Sequence, residues 1–225
     1  MSAGQCPDAS RGNAKAAWAV GLVIAAAGVL AMAPAARTPF VWDDASAIVR
    51  NVGIRRLAEP GRFFAGSYWA SRERAERGVY RPLRELLLAA VWAVLPADAR
   101  GFHAVNIALH AVNGVLVFLV AGRVLRRWDA AFAAGLVFAV HPVHAEAVAF
   151  TKNMGELAAT GLALGATVVF LHGAAWSGER KGAAWAASGV SAALLGLSLL
   201  MKETAAGMPL VLAALVPAAV PRGRR

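Results

Sequence analysis

The sequence predicts an all-α integral membrane protein with about six transmembrane helices and a long loop on the outer side after the first helix. Of its 225 residues, 59% are hydrophobic and 16% charged, and the mean hydropathy is +0.55. Soluble domains of this length rarely have that balance. The apolar residues also fall in runs of about 20, the length with which an α-helix crosses about 30 Å of hydrocarbon.

The first run, residues 16–36, predicts a transmembrane helix. Because Arg11 and Lys15 precede it and Ala31-Met-Ala33 resembles a cleavage site, a signal peptide is the alternative. The length of the run and Pro34 directly after that site favour an uncleaved span.

Five further spans are predicted within residues 103–220. Four runs cover 103–121, 154–175, 182–201 and 204–220. A shorter run, 130–140, ends at His141-Pro142 and spans only if Arg126 and Arg127 snorkel at its other end. Residues 82–95 include Arg84 and Glu85, so they predict a helix lying in the membrane interface, as does the amphipathic stretch 52–68.

The basic residues orient these spans. The net charge is +10, and the charged residues lie between the apolar runs. This position indicates residues that flank membrane spans rather than a nucleic-acid-binding surface. With residues 1–15 and 221–225 in the cytoplasm, the short inner segments are strongly basic and residues 37–102 form the outer loop. The inner basic residues are Arg11, Lys15, Arg123, Arg126, Arg127, Arg180, Lys181, Arg222, Arg224 and Arg225.

This topology gathers unusual polar residues near the outer ends of the spans. They are Asp43, Asp44, Arg81, His141, His144, Glu146, Lys152, Glu156, Lys202 and Glu203. Ionisable groups at membrane depth are expensive, so a set that converges from separate spans predicts a site. The alternative is that each side chain only reaches the membrane surface.

A second polar pattern lies inside the predicted span 103–121. His103, Asn106, His110 and Asn113 share about 80° of one helical face, which must point into the bundle because lipid offers no hydrogen-bond partners. Helix–helix hydrogen bonding explains Asn113. For His103 and His110, a structural role and a supporting role in the site both stay open.

A metal site is the weaker hypothesis for the histidines. His141, His144 and Glu146 have the chemistry of a two-histidine, one-carboxylate metal triad. The spacing of His-Pro-x-His does not match a usual zinc site, and Cys6 is the only cysteine, so no metal or other cofactor is expected.

Taken in order, these motifs resemble those of the GT-C membrane glycosyltransferases, and among them the O-mannosyltransferase-like proteins that carry transmembrane spans followed by tetratricopeptide repeats. The matching motifs are Trp42-Asp43-Asp44 with Asn51, Tyr80-Arg81-Pro82-Leu83, Phe102-His103 through Asn106 to His110, the stretch FAVHPVHAEAV at 138–148, Lys152-Asn153 and Lys202-Glu203. The resemblance covers about 160 residues, and it implies that this chain is the N-terminal part of a longer protein.

The resemblance implies transfer of a sugar, mannose or a similar one, from a polyprenyl-phosphate donor to a hydroxyl of a protein or glycan on the outer face. It assigns the catalytic base to Asp43 and an orienting role to Asp44. The donor phosphate would be bound by Arg81, Lys202, Lys152, His141 and His144. Glu146, Glu203, His103 and His110 would support the site.

Two other functions compete with the transferase. A transporter would use Lys152, Glu156, Lys202 and Glu203 to line a pathway, but it would also predict internal repeats, and none is visible. A non-catalytic membrane scaffold is the second rival. The alanine, arginine and glycine bias further predicts a bacterial inner membrane as the location.

Overall fold

The structure is a computed structural model that describes residues 11–65, 80–175 and 180–219. Within those ranges the chain is helical and forms no strand, which confirms the all-α prediction. The helices are α1 (Arg11–Met32), α2 (Pro82–Val94), α3 (Ala99–Leu125), α4 (Trp128–Val140), α5 (Ala145–Ala149), α6 (Met154–Ala175), α7 (Lys181–Met201) and α8 (Met208–Ala219).

Four segments of the described chain are long and apolar enough to cross a membrane. They are Lys15–Arg37, Ala99–Leu125, Thr151–Ala174 and Lys181–Met201. A fifth span exists if α4 and the segment Pro142–Ala149, bent by 44° at His141-Pro142, are counted as one broken helix. The last predicted run, 204–220, forms a short turn and the 12-residue helix α8 instead of a long span. The membrane protein is confirmed, with four or five candidate spans where about six were predicted.

Helix α3 lies at the centre of the bundle and packs against α1, α4 and α6. Small residues allow the close approach of α3 and α4. A Cβ added at Gly135 would lie 2.8 Å from the Cβ of Phe118, and one at Gly114 would lie 3.1 Å from the Cβ of Ala139. Van der Waals packing at small residues is one of the attractions that hold helices together in lipid.

Helix α7 packs along α6 through small and hydroxylated side chains. Ser191 donates to the carbonyl of Ala166 at 2.9 Å, and Ser198 donates to the carbonyl of Ala159 at 2.7 Å. Such hydrogen bonds join helices where water is absent. These hydrogen bonds place the N-terminal end of α6 beside the C-terminal end of α7. The charged residues at those two ends are therefore neighbours.

The first loop is packed against the bundle. Residues 52–65 form two 3₁₀ turns, Val52–Arg55 and Pro60–Phe63, rather than one amphipathic helix, and residues 66–68 lie outside the described part. Gly53, Pro60 and Gly61 explain the difference, because glycine and proline weaken or break a helix. Ile54 and Phe63 are buried in one cluster with the α2 residues Leu88 and Ala89. Helix α2 therefore holds the loop beside the ends of α3 and α6.

Candidate functional site

Charged residues from four parts of the chain meet at one end of the bundle. They come from the loop after α1, the start of α2, the start of α6 and the junction of α7 with α8. We call this group the carboxylate–cation cluster: Asp43, Asp44, Arg81, Arg84, Glu85, Lys152, Glu156, Lys202 and Glu203. Seven of its members belong to the polar set that predicted a site, so the structure places these seven together.

The two adjacent aspartates have different surroundings. The side chain of Asp43 is 61% exposed and forms an ion pair with the ammonium of Lys152. Asp44 is fully buried, and its carboxylate accepts hydrogen bonds from the backbone N–H groups of Lys152 at 2.8 Å and Thr151 at 3.4 Å. The preceding residue, Trp42, has a positive φ of 50°, which is rare for a bulky side chain. Asp43 alone of the pair is open to an incoming molecule.

Local capping explains only part of the role of Asp44. Its side chain makes no capping hydrogen bond to the turn Ala45–Val49 that follows it, but it accepts the N–H of Val41 at 3.3 Å. The Asp44 carboxylate also binds the first amides of the distant turn Thr151–Asn153, where a negative charge is favourable. Asp44 therefore anchors the loop to the start of α6.

The cationic side of the cluster is held by carboxylates. The guanidinium of Arg81 binds both oxygens of Glu203, with Nε at 2.8 Å and Nη2 at 2.5 Å, which joins α2 to the α7–α8 junction. Lys202 binds Glu156 at 2.7 Å. A bidentate guanidinium–carboxylate pair is also the geometry in which arginine recognises phosphate.

The Arg81–Glu203 pair gives the site a pH-dependent contact. The hydrogen bond that Glu203 accepts from Arg81 lowers the pKa of Glu203 from 4.5 to about 2. Stabilisation from a lowered carboxyl pKa is complete above pH 4.5 and is lost as the pH falls from 4.5 toward 2. Because the Glu203 side chain is 66% exposed, we expect an effect below about 1 kcal/mol.

Thermal unfolding in detergent, compared for the wild type and Glu203→Gln across pH 2–7, measures this contribution. The wild type should be the more stable protein above pH 4.5, and the difference should vanish near pH 2. A difference that stays constant over the whole range would contradict the assignment of the shift to Glu203.

The histidines after α4 form a group of aromatic rings. The His144 ring lies 4.3 Å from that of Phe138 and 5.2 Å from that of His110. His141 is exposed, and its Nδ1 accepts the N–H of Val143 at 3.1 Å. In the described ranges no three His, Cys, Asp or Glu side chains are grouped so that they could hold a metal ion. His141, His144 and Glu146 are therefore not assembled as a metal triad.

The polar stripe of α3 points into the bundle, as predicted. His103, Asn106, His110 and Asn113 are all buried, and each contacts the backbone of a neighbouring segment. Their carbonyl partners are Thr38 for His103, Val148 and Phe150 for Asn106, Ala139 for His110, and Leu157 for Asn113. Several of these carbonyls lie at helix ends, where they lack a partner within the helix. The contacts of His103 and His110 are those of helix–helix hydrogen bonding.

The buried ion pair within the carboxylate–cation cluster was not predicted. Arg84 is 7% exposed and Glu85 is 1% exposed, and the two side chains form an ion pair at 2.8 Å. Asn51 donates to the second oxygen of Glu85 at 3.1 Å. The one sequence signal is the presence of two adjacent charges in the apolar run 82–95, which also suits residues that reach the membrane surface.

Comparison with known proteins gives a consistent set of relatives. The chain is 34% identical to Protein O-mannosyl-transferase Tmtc2 of Drosophila melanogaster over 169 residues, 74% of this chain and 18% of the relative. It is 35% identical to Protein O-mannosyl-transferase TMTC1 of Homo sapiens over 148 residues, 64% of this chain and 17% of the relative. No family model and no solved structure matches.

These relatives confirm the resemblance to O-mannosyltransferase-like proteins. The chain spans about a fifth of the length of these two relatives. Both are animal proteins, so they give no support to the prediction of a bacterial inner membrane.

Proposed function

We propose that this homologue of the protein O-mannosyl-transferases forms part of a membrane glycosyltransferase. In this proposal the enzyme moves a sugar, mannose in the first instance, from a polyprenyl-phosphate donor to a hydroxyl acceptor on the outer face of the membrane. One observation carries the proposal: an exposed carboxylate, Asp43, is ion-paired with Lys152 in the same cluster that contains the guanidinium of Arg81. The printed names of the relatives support a mannosyltransferase.

Asp43 is the proposed general base. Its exposed carboxylate accepts the proton of the acceptor hydroxyl while the hydroxyl oxygen bonds to the anomeric carbon of the sugar. The bond between that carbon and the donor phosphate breaks, and polyprenyl phosphate leaves. The Lys152 ammonium orients the base, and Asp44 holds the backbone of Lys152 in place.

The proposed phosphate site consists of Arg81, Lys202 and Lys152. Each of these cations is ion-paired with a carboxylate: Arg81 with Glu203, Lys202 with Glu156, and Lys152 with Asp43. A phosphate that binds the guanidinium of Arg81 must therefore exchange for Glu203, whereas the ammonium of Lys152 has three N–H donors and can bind the phosphate while it stays paired with Asp43. Glu203 suits this exchange because its side chain is largely exposed and its carboxylate already binds the guanidinium of Arg81. Cations aimed at the leaving phosphate stabilise the charge that develops there.

The remaining predicted site residues have weaker support. His141 and His144, at the end of α4, are proposed hydrogen-bond donors to the same phosphate. Glu146 is exposed, and its backbone carbonyl accepts from Asn153 at 3.4 Å. His103 and His110 then act by fixing α3 against the neighbouring segments.

A donor comparison on membranes that contain this chain tests the function. Labelled mannose is supplied as polyprenyl-phosphate mannose or as a nucleotide-linked mannose, with a hydroxyl-bearing peptide as acceptor. We expect label on the acceptor with the lipid-linked donor, and none above the background of membranes without the chain for the nucleotide donor. No transfer from any of several lipid-linked sugars would favour the scaffold.

A further inference from the structure

Both backbone polar groups of Lys152, its N–H and its carbonyl, are hydrogen-bonded to side chains. Its N–H donates to Oδ1 of Asp44 at 2.8 Å. Its carbonyl accepts from the guanidinium of Arg84, from Nε at 3.4 Å and Nη2 at 3.3 Å. The side chain of the same residue carries the ammonium that pairs with Asp43. Asp44 and Arg84 together fix the backbone of Lys152. The position of the Lys152 ammonium therefore depends on both of these residues.

Arg84 is itself fixed by buried partners. Its Nη1 donates to Glu85 at 2.8 Å, and the other oxygen of Glu85 accepts from Asn51 at 3.1 Å. Asn51 also donates to the carbonyl of Ala47 at 3.1 Å. One chain of hydrogen bonds thus joins the first loop, α2 and the start of α6. It ends at the backbone carbonyl of Lys152.

The start of α6 leaves room for Arg84. A Cβ added at Gly155 would lie 2.6 Å from Cγ and 2.9 Å from Cδ of Arg84. Real Cβ atoms do not approach that closely, so any larger residue at 155 would displace the Arg84 stem. The lack of a side chain at Gly155 therefore allows Arg84 to reach the Lys152 carbonyl.

We propose that Arg84 is a positioning residue that acts through the Lys152 carbonyl and holds the Lys152 ammonium on Asp43. Arg84 contacts neither the acceptor nor the phosphate in this account. Its importance for sugar transfer depends on the proposed function, whereas its control of the Lys152 side chain does not.

The reactivity of the Lys152 amine tests the proposal without a transfer assay. The chain has four lysines, and trace labelling of the purified full chain in detergent with an amine-reactive reagent reports each one by mass spectrometry. Gly155→Ala displaces Arg84 without changing any charge. We expect Lys152 to be labelled several-fold faster relative to Lys181, which lies at the start of α7.

Two further variants make the test specific. Gly165→Ala is the matched control, because Gly165 lies on the same helix and an added Cβ meets nothing within 4 Å. The double variant Arg84→Met with Glu85→Leu removes both buried charges together, so no unpaired charge is left to prevent folding. It should raise Lys152 labelling as Gly155→Ala does. Unchanged labelling in Gly155→Ala and in the double variant would overturn the proposal.

Kinetics then separate positioning from packing. Gly155→Ala should lower kcat for transfer by about 10²-fold, the effect of a small misplacement at a reacting centre. If labelling rises while kcat stays the same, Arg84 does not act on the reaction and the positioning role is wrong. If the wild type transfers no sugar, the proposed function fails while the labelling result still decides the link between Arg84 and Lys152.

Discussion

Asp43→Asn is expected to reduce the initial rate of mannose transfer by about 10²- to 10⁴-fold, the usual contribution of a general base. Asparagine keeps the shape of the side chain but cannot accept the hydroxyl proton at neutral pH. Because the Asp43 side chain is 61% exposed, the substitution should leave the fold intact. Initial rates with labelled polyprenyl-phosphate mannose, at equal amounts of protein in the membrane, measure the effect.

The matched control for this substitution is Asp98→Asn. Asp98 is an exposed carboxylate of the same loop that caps α3 by accepting the N–H of Arg100 at 3.1 Å. It should keep nearly the wild-type rate, which separates removal of a base from removal of a negative charge. If Asp43→Asn also keeps that rate, Asp43 is not the base.

Glu85→Leu is expected to have the largest effect on stability, a loss of about 3–5 kcal/mol. It leaves the guanidinium of Arg84, which is 7% exposed, as an uncompensated buried charge. Asn51 loses a hydrogen-bond acceptor at the same time. Chemical or thermal unfolding in detergent micelles measures the loss, and protease sensitivity of the first loop shows where it begins.

Two comparisons isolate the buried charge. Glu59→Leu removes one partner of the exposed pair Glu59–Arg62 and should cost less than about 1 kcal/mol. Adding Arg84→Met to Glu85→Leu should restore much of the lost stability, since removal of both charges is often nearly neutral. Equal losses for Glu85→Leu and Glu59→Leu would show that burial of the pair is unimportant.

The features that sequence reasoning could predict depend on short-range periodicity. The apolar runs gave the long spans, because length and hydropathy alone decide whether a helix can cross a bilayer. The spacing of His103, Asn106, His110 and Asn113 gave a stripe that the structure buries.

The features that could not be predicted depend on contacts between distant segments. Arg84 and Glu85 are adjacent, so nothing local shows that one binds the carbonyl of Lys152 and the other binds Asn51. For the same reason the binding of Asp44 to the amides of residues 151 and 152 has no sequence signature. The 3₁₀ turns of residues 52–65 were missed because an amphipathic pattern outweighed Gly53 and Pro60 in the prediction.

The central claim is that the carboxylate–cation cluster binds the phosphate of a lipid-linked donor. Photolabelling with a photoreactive polyprenyl phosphate, followed by peptide mapping, tests it most directly, even if this chain alone transfers no sugar. The account predicts label on peptides that contain Arg81 or Lys202 and Glu203, with loss of the label in excess polyprenyl phosphate and in Arg81→Ala. Label that concentrates at the opposite end of the bundle, near Arg123 to Arg127, or that excess polyprenyl phosphate fails to displace, would contradict it.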